Sequence, residues 1–408
     1  MSGVALCAQD VQRQVHASVH AGAQEEVLTE LCSVLFASLP RRDQRRRGVE
    51  YVRGLLAAEG RKSIRNMAAL TGGATTEQGL HHFVSGSTWD WAEVRGRLAQ
   101  YLARVALPSA WVVRPMIIPK AGEHSVGVDR RYFPAFGQVL NAQQAFGVWA
   151  ASDRMSSPVN WRLHLSGAWL DDGQRRIRAS IPESLSPEET LGECAIEACR
   201  ELVAGQGLPR LPVVLDAREA EAATTVRQLR TVGLPFLIRV SGTQLLTAAD
   251  ATPPARRSEL PAHQIMGVAR ELRRQAVWTD HGPEAVTRTS LVAALRVGLP
   301  VRPSRFGAPE QAADRRGLLL LGEWRDSGRW PTGLWLTDLT DAQPGALLRL
   351  SKLIGRVDRD CAEIADQVGV RDYAGRSFGG WHRHITLASA AHAITAVAGS
   401  PERESRAS

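Results

Sequence analysis

Asp216 closes the apolar run Pro212-Val213-Val214-Leu215. In a region that alternates helix and strand, an acidic residue at a strand end stands where α/β sheets carry their functional groups. A carboxylate there can hold a divalent cation. It can also accept the N–H groups that open a following helix near Glu219, and spacing alone leaves both readings open. Asp358 is the second candidate. Leu347, Leu350, Leu353, Ile354, Val357, Cys361, Ile364 and Val368 mark one face of a long amphipathic helix. At about 100° per residue Asp358 falls on the edge of that face, where it can lean over the end of a sheet. The same helical wheel gathers Arg349, Lys352, Arg356 and Arg359 into one stripe, suited to a phosphate backbone or to plain solvation.

Other residue types with chemical potential are less well arranged. His382 and His384 diverge by about 200° on a helix, which makes a poor chelating pair and leaves packing or phosphate contact. His81 and His82 are adjacent and face different ways. Cys7, Cys32, Cys194, Cys199 and Cys361 are scattered, without metal-ligand spacing, and are expected as buried thiols. The chain has no G-x-S-x-G nucleophile elbow, and Gly317–Gly322 lacks the Gly-Lys-Ser/Thr ending of a phosphate-binding loop.

The elements that must position these residues follow from periodicity. From about Glu26 to Ala106 apolar residues return at helical spacing, as in Val49, Val52, Leu55 and Leu56, so a helical domain is expected over 23–107, after a mobile tail at 1–22. Trp111–Ile118, Gly137–Ala150 and Trp161–Leu165 read as three strands. Ser186 with Pro187 predicts a helix running to about Ala204, followed by a strand at Pro212–Asp216, a helix at about Glu219–Thr231 and a strand at Pro235–Val240. This α/β core is expected to span 108–372. Within it, 241–345 is expected to be a mostly β insertion, with strands at Gly317–Trp324 and Gly333–Leu339. A C-terminal helix and tail complete the chain at 373–408.

With 408 residues, 44% hydrophobic and 23% charged, the chain is long enough for two or three domains of ordinary globular composition. No apolar run approaches the roughly 20 residues of a membrane span, and Gln9, Asp10, Gln12, Arg13 and Gln14 interrupt any export signal, so a cytoplasmic protein without a membrane partner is expected. The formal charge of +8 suits a polyanion, although an Arg-heavy composition can also reflect a GC-rich genome.

Several segments in order resemble the insertion-sequence 701 family of DDE transposases, over roughly residues 26–395. They are Tyr51-Val52-Arg53-Gly54-Leu55-Leu56 with Arg61-Lys62-Ser63, His81-His82-Phe83-Val84 and Trp89-Asp90-Trp91 in the helical part. The core contributes Pro119-Lys120-Ala121-Gly122-Glu123-His124-Ser125-Val126-Gly127-Val128, Trp161-Arg162-Leu163-His164-Leu165 and Gly322-Glu323-Trp324-Arg325. The last segment runs from Gly375-Arg376-Ser377 through Phe378-Gly379-Gly380-Trp381 to His382-Arg383-His384.

The resemblance implies an RNase-H-like α/β core in which two Asp and one Glu hold Mg²⁺ or Mn²⁺, one ion activating the attacking oxygen and the other stabilising the leaving oxygen. The second carboxylate maps onto Asp216 and the third onto Asp358, which become the catalytic and metal-ligand candidates. The first belongs to an Asp-Asp-Thr run, and here Arg114, Pro115 and Met116 stand in its place. An Arg puts a permanent cation where a metal should sit. The expected function is therefore a transposase-like, nucleoid-associated protein that binds double-stranded DNA, with cleavage and strand transfer impaired and the catalytic site degenerate. The DNA contacts expected are Arg61, Lys62, Lys120, Arg349, Lys352, Arg356, Arg359, Arg376, His382 and Arg383. The alternatives are an active Mg²⁺-dependent transposase acting at inverted terminal repeats, for which Asp129 is a replacement ligand to consider, and a repurposed regulator or scaffold. A homo-oligomer is left open.

Overall fold

The computed structural model describes residues 21–70, 73–204, 207–248, 259–281, 285–300, 317–325 and 327–400. Nearly all of the tail expected to be mobile at 1–22, the last eight residues of the chain, and residues 301–316 of the β-rich stretch lie outside them.

Five helices open the fold: α1 over 21–36, α2 Arg42–Ala57, α3 Ile64–Ala69, α4 Ala74–Ser85 and α5 Trp91–Val105. Two begin on side-chain caps, which satisfy N–H groups that have no partner inside a helix. Ser63 accepts from the Asn66 N–H, and Asp90 accepts from the Ala92 N–H at 2.7 Å.

The strands that follow form, among the described residues, one twelve-stranded sheet in the order β2-β3-β1-β5-β6-β12-β11-β10-β7-β8, with β4 beside β3 and β9 beside β10. Their ranges are β1 Ala110–Pro119, β2 Asp129–Phe133, β3 Gln138–Ala151, β4 Ser156–His164, β5 Val213–Asp216 and β6 Phe236–Arg239. Beyond these lie β7 Leu245–Ala248, β8 Glu259–Pro261, β9 Arg274–His281, β10 Ala285–Gly298, β11 Leu318–Trp324 and β12 Gly333–Thr337. The strands after residue 241 continue the same sheet, because β12 pairs antiparallel with β6.

Short helices α6 Gly167–Leu170 and α7 Gly173–Ala179 precede α8 Leu191–Val203, and α9 Ala222–Val232 joins β5 to its parallel neighbour β6. Helix α8 starts later than Ser186-Pro187 predicts. Thr190 Oγ1 accepts from the Glu193 N–H while the Glu193 carboxylate accepts from the Thr190 N–H, and this reciprocal pair fixes the start. Helix α10 Ala262–Val268 lies at the far end of the sheet.

Two long helices complete the core. Helix α11, Pro344–Asp360, has Pro at its first turn and buries Leu347, Leu348, Leu353 and Val357 against β1, β5 and β6. Helix α12, Phe378–Ala398, is buried on nearly every side and touches α2, α4, α5 and β4. It therefore joins the N-terminal helices to the sheet. No helix among the described residues is long and apolar enough to cross a membrane.

Candidate functional site

Strands β1, β5 and β6 run parallel, with Val113 opposite Leu215 and Asp216 opposite Arg239. Residues in register on neighbouring parallel strands project to the same face. Arg114, one residue past the last β1–β5 pair, thus lies in a row with Asp216 and Arg239 at the carboxyl edge of the three strands. Helix α11 lies over this face, and from it Asp358 accepts a hydrogen bond from Arg114 Nε at 2.9 Å. Arg114 and Asp358, two of the positions singled out in the sequence, thus touch directly, and Asp216 stands beside Arg114 on the neighbouring strand.

Asp216 is held by two arginines. Arg218 donates Nε to both carboxylate oxygens at 2.9 and 3.0 Å and Nη2 to Oδ2 at 2.7 Å, while Arg239 Nη1 lies 3.7 Å from Oδ2. The carboxylate also accepts the Arg218 N–H at 3.2 Å. It does not cap α9, which begins six residues later at Ala222, so the helix-cap reading of Asp216 is set aside. The Asp216 carboxylate holds the Arg218 guanidinium well protonated, above the usual arginine range.

Pro115 follows Arg114 and, by strand alternation, points to the other face, where it is exposed. Beyond the last β5 partner β1 keeps only β3 beside it, and a strand can carry proline where one neighbour is missing. Asp129 is out of reach. It lies on β2 opposite Ala142, whose partner on β1 is Pro119, so it sits two strands across and five residues along from Arg114. That is roughly 10 Å by 16 Å at ordinary strand spacing. Its carboxylate instead accepts from Ser166 Oγ at 2.9 Å.

The residues expected to contact DNA divide into three groups. Four are committed inside the protein, which corrects the expectation that they meet phosphate. Lys62 is buried, with Nζ on the Ala58 carbonyl and its N–H donated to Asp372. Lys120 Nζ donates to the carbonyls of Arg371 and Tyr373 at 3.0 and 2.7 Å, and burial pushes its pKa down to about 8. His382 is buried, stacked on Trp91, with Nδ1 accepting from Arg95 at 3.1 Å; burial pushes its pKa well down. Arg383 is buried against Trp89 and Trp91 and donates to the Trp89 and Val84 carbonyls.

The α11 stripe is partly neutralised as well. Lys352 pairs with the buried Glu323 at 2.5 Å, Arg356 with Asp360 at 2.9 Å and Arg359 with Asp280 at 3.3 Å. Arg61, Arg349 and Arg376 are exposed and make no ion pair among the described residues. Four cysteines, Cys32, Cys194, Cys199 and Cys361, are buried free thiols, as expected; Cys7 lies outside the described residues.

With the geometry in view, the sequence profile of the DDE superfamily endonucleases matches residues 34–296, more than half of the chain. The chain belongs to this family. The match spans Arg114 and Asp216 and ends before Asp358. No curated protein matches the chain. Endonucleases of this superfamily generally use divalent metals. Among the described residues no group of three or more His, Cys, Asp or Glu side chains is placed to hold one ion.

Reading the sequence missed Arg218 and Arg239. A signal for Arg239 was present, since it ends the strand after Asp216 just as Asp216 ends its own. Arg218 belongs to an irregular turn and carries no period to find it by.

Proposed function

We propose that the protein is a DNA-binding descendant of an insertion-sequence 701 transposase, with an RNase-H-like core at 108–372, in which metal-dependent cleavage is impaired. The observation that carries this reading is the ion pair between Arg114 and Asp358, in the place where the first and third carboxylates would share a cation. The residues present do not fit two divalent ions. A permanent guanidinium stands at the first ligand position, one remaining carboxylate is engaged by it, and the other is engaged by Arg218 and Arg239. DNA as the partner is supported by the family, by the formal charge of +8 and by the exposed Arg61, Arg349 and Arg376. The helical domain at 23–107 then serves recognition, and such a partner puts the protein on the chromosome in the cytoplasm.

The test is nicking of supercoiled DNA by the full chain in Mg²⁺ or Mn²⁺, with Asp216→Ala and Arg114→Asp alongside. The unmodified protein is expected to bind DNA in a salt-sensitive way and leave it uncut. Nicking that Asp216→Ala abolishes would overturn the reading.

A further inference from the structure

The row at the strand ends holds more cations than anions. Arg114, Arg218 and Arg239 face two carboxylates, Asp216 and Asp358. The two anions differ in how they are held. Asp216 is gripped by two guanidinium groups and is mostly covered, its side chain 28% exposed. Among the described residues Asp358 has one ion-pair partner, Arg114, and its side chain is 57% exposed. An ion pair open to water is weak and exchanges readily. The Arg114 guanidinium, only 24% exposed, stays in place behind it.

We propose that this edge is an anion seat that takes a phosphate group without a divalent cation, and that Asp358 is the intramolecular anion displaced when phosphate binds. The inference rests on the reading of the protein as a DNA-binding endonuclease relative and adds where and how a backbone phosphate is held. A guanidinium offers a planar fork of N–H donors that fits the oxygens of a phosphate as it fits those of a carboxylate. A phosphate that takes the place of Asp358 on Arg114 meets Arg239 and Arg218 along the same row, oriented by Asp216. The charge there has changed sign relative to a site of three carboxylates, so a feature that disables metal binding prepares the same surface for the substrate's own anion.

The test measures binding of a fluorescent DNA duplex to the full chain in EDTA across a salt series. The variants are Arg114→Gln, Arg239→Gln and Asp358→Asn, each checked for an unchanged thermal transition. Glu188→Gln, outside the row, controls for the change in net charge. Loss of either arginine is expected to weaken binding by about 5- to 10-fold and to lower the salt slope by about one. Asp358→Asn is expected to tighten binding severalfold more than Glu188→Gln does. Salt-sensitive binding indifferent to all three variants, or weakened by Asp358→Asn, overturns the seat while leaving the DNA reading intact. If the unmodified chain binds no duplex, the DNA reading falls and inorganic phosphate decides the seat. A rise in Tm with phosphate that Arg114→Gln and Arg239→Gln both lack sustains it for a free phosphate, and no rise overturns it.

Discussion

A guanidinium at position 114 tethers Asp358 and repels any cation approaching Asp216, and an Asp at the same place would reverse both effects. Arg114→Asp is therefore expected to let Mn²⁺ raise the Tm of the folded chain, while the unmodified protein shows no such rise; equal shifts in both would contradict the role given to Arg114. Buried histidines make a separate claim. His384 donates Nε2–H to the Gly369 carbonyl and accepts at Nδ1 from the Tyr51 hydroxyl, and burial pushes its pKa down to about 4; His392 beside Trp149 is pushed down to about 4 as well. Both stay neutral in the fold and take up protons at about pH 6.5 once unfolded. Their contribution is complete above about pH 6.5 and is lost as pH falls toward 4, roughly 3 kcal/mol for each. Urea midpoints taken from pH 7.5 to 4.5 should fall accordingly, and His384→Gln should flatten the curve by about one proton. Residue type told which side chains were charged and Asp216 could be placed from its strand, but burial could not be read. Lys62, Lys120, His382 and Arg383 look like DNA contacts in a motif because nothing local reveals the carbonyls and rings that enclose them.

At the scale of elements, one buried arginine ties three of them. Arg95 on α5 donates to Thr386 Oγ1 and His382 on α12 and to Asn160 Oδ1 and the Trp161 carbonyl on β4. Arg95→Met removes the guanidinium donor from these buried acceptors, and is expected to lower unfolding free energy in urea by about 3 kcal/mol. A fall under about 1 kcal/mol would mean water replaces the guanidinium. On β3, a methyl group at Gly147 would come 2.7 Å from the Trp161 ring and 2.9 Å from Trp149 Nε1, so Gly147→Ala is expected to destabilise by about 1–3 kcal/mol through overpacking, read from the same urea curves. Strands with strong apolar patterns, β1, β3, β5 and β6, were legible to within a residue or two. Strand β2, Asp-Arg-Arg-Tyr-Phe, was not, because its stability comes from pairing with β3 and its own composition is polar. The start of α8 was misplaced because the Thr190–Glu193 pair outcompetes Ser186, whose hydroxyl serves only a local turn to the Glu188 N–H.

For the whole molecule, a single sheet and one enclosed helix set the cooperativity. Glu323 on β11 joins Ser290 of β10 to Lys352 of α11, and Asp280 on β9 joins Arg359, so the strands beyond residue 241 are fastened to the helix that carries Asp358. The β-rich stretch was visible in the sequence; its continuity with the core sheet was not, since pairing between β6 and β12 spans about a hundred residues of chain and leaves no local trace. Helix α12 was foreseeable as a helix at the end of the chain. Its place at the centre was hidden because its apolar residues show no preferred face. A chain ended before Phe378 is expected to lose its cooperative thermal transition, measured by calorimetry; a sharp transition in that fragment would refute the central role of α12.

That centrality has a consequence in time. Every partner of α12 is translated before it, and α5, ending at Val105, waits for residues 378–398. At about 5–20 residues per second this delay is on the order of tens of seconds. Throughout it the nascent helices and sheet present bare apolar faces to the cell's chaperones and proteases. A copy interrupted before α12 is therefore expected to leave no stably folded remnant that competes for the same binding surfaces.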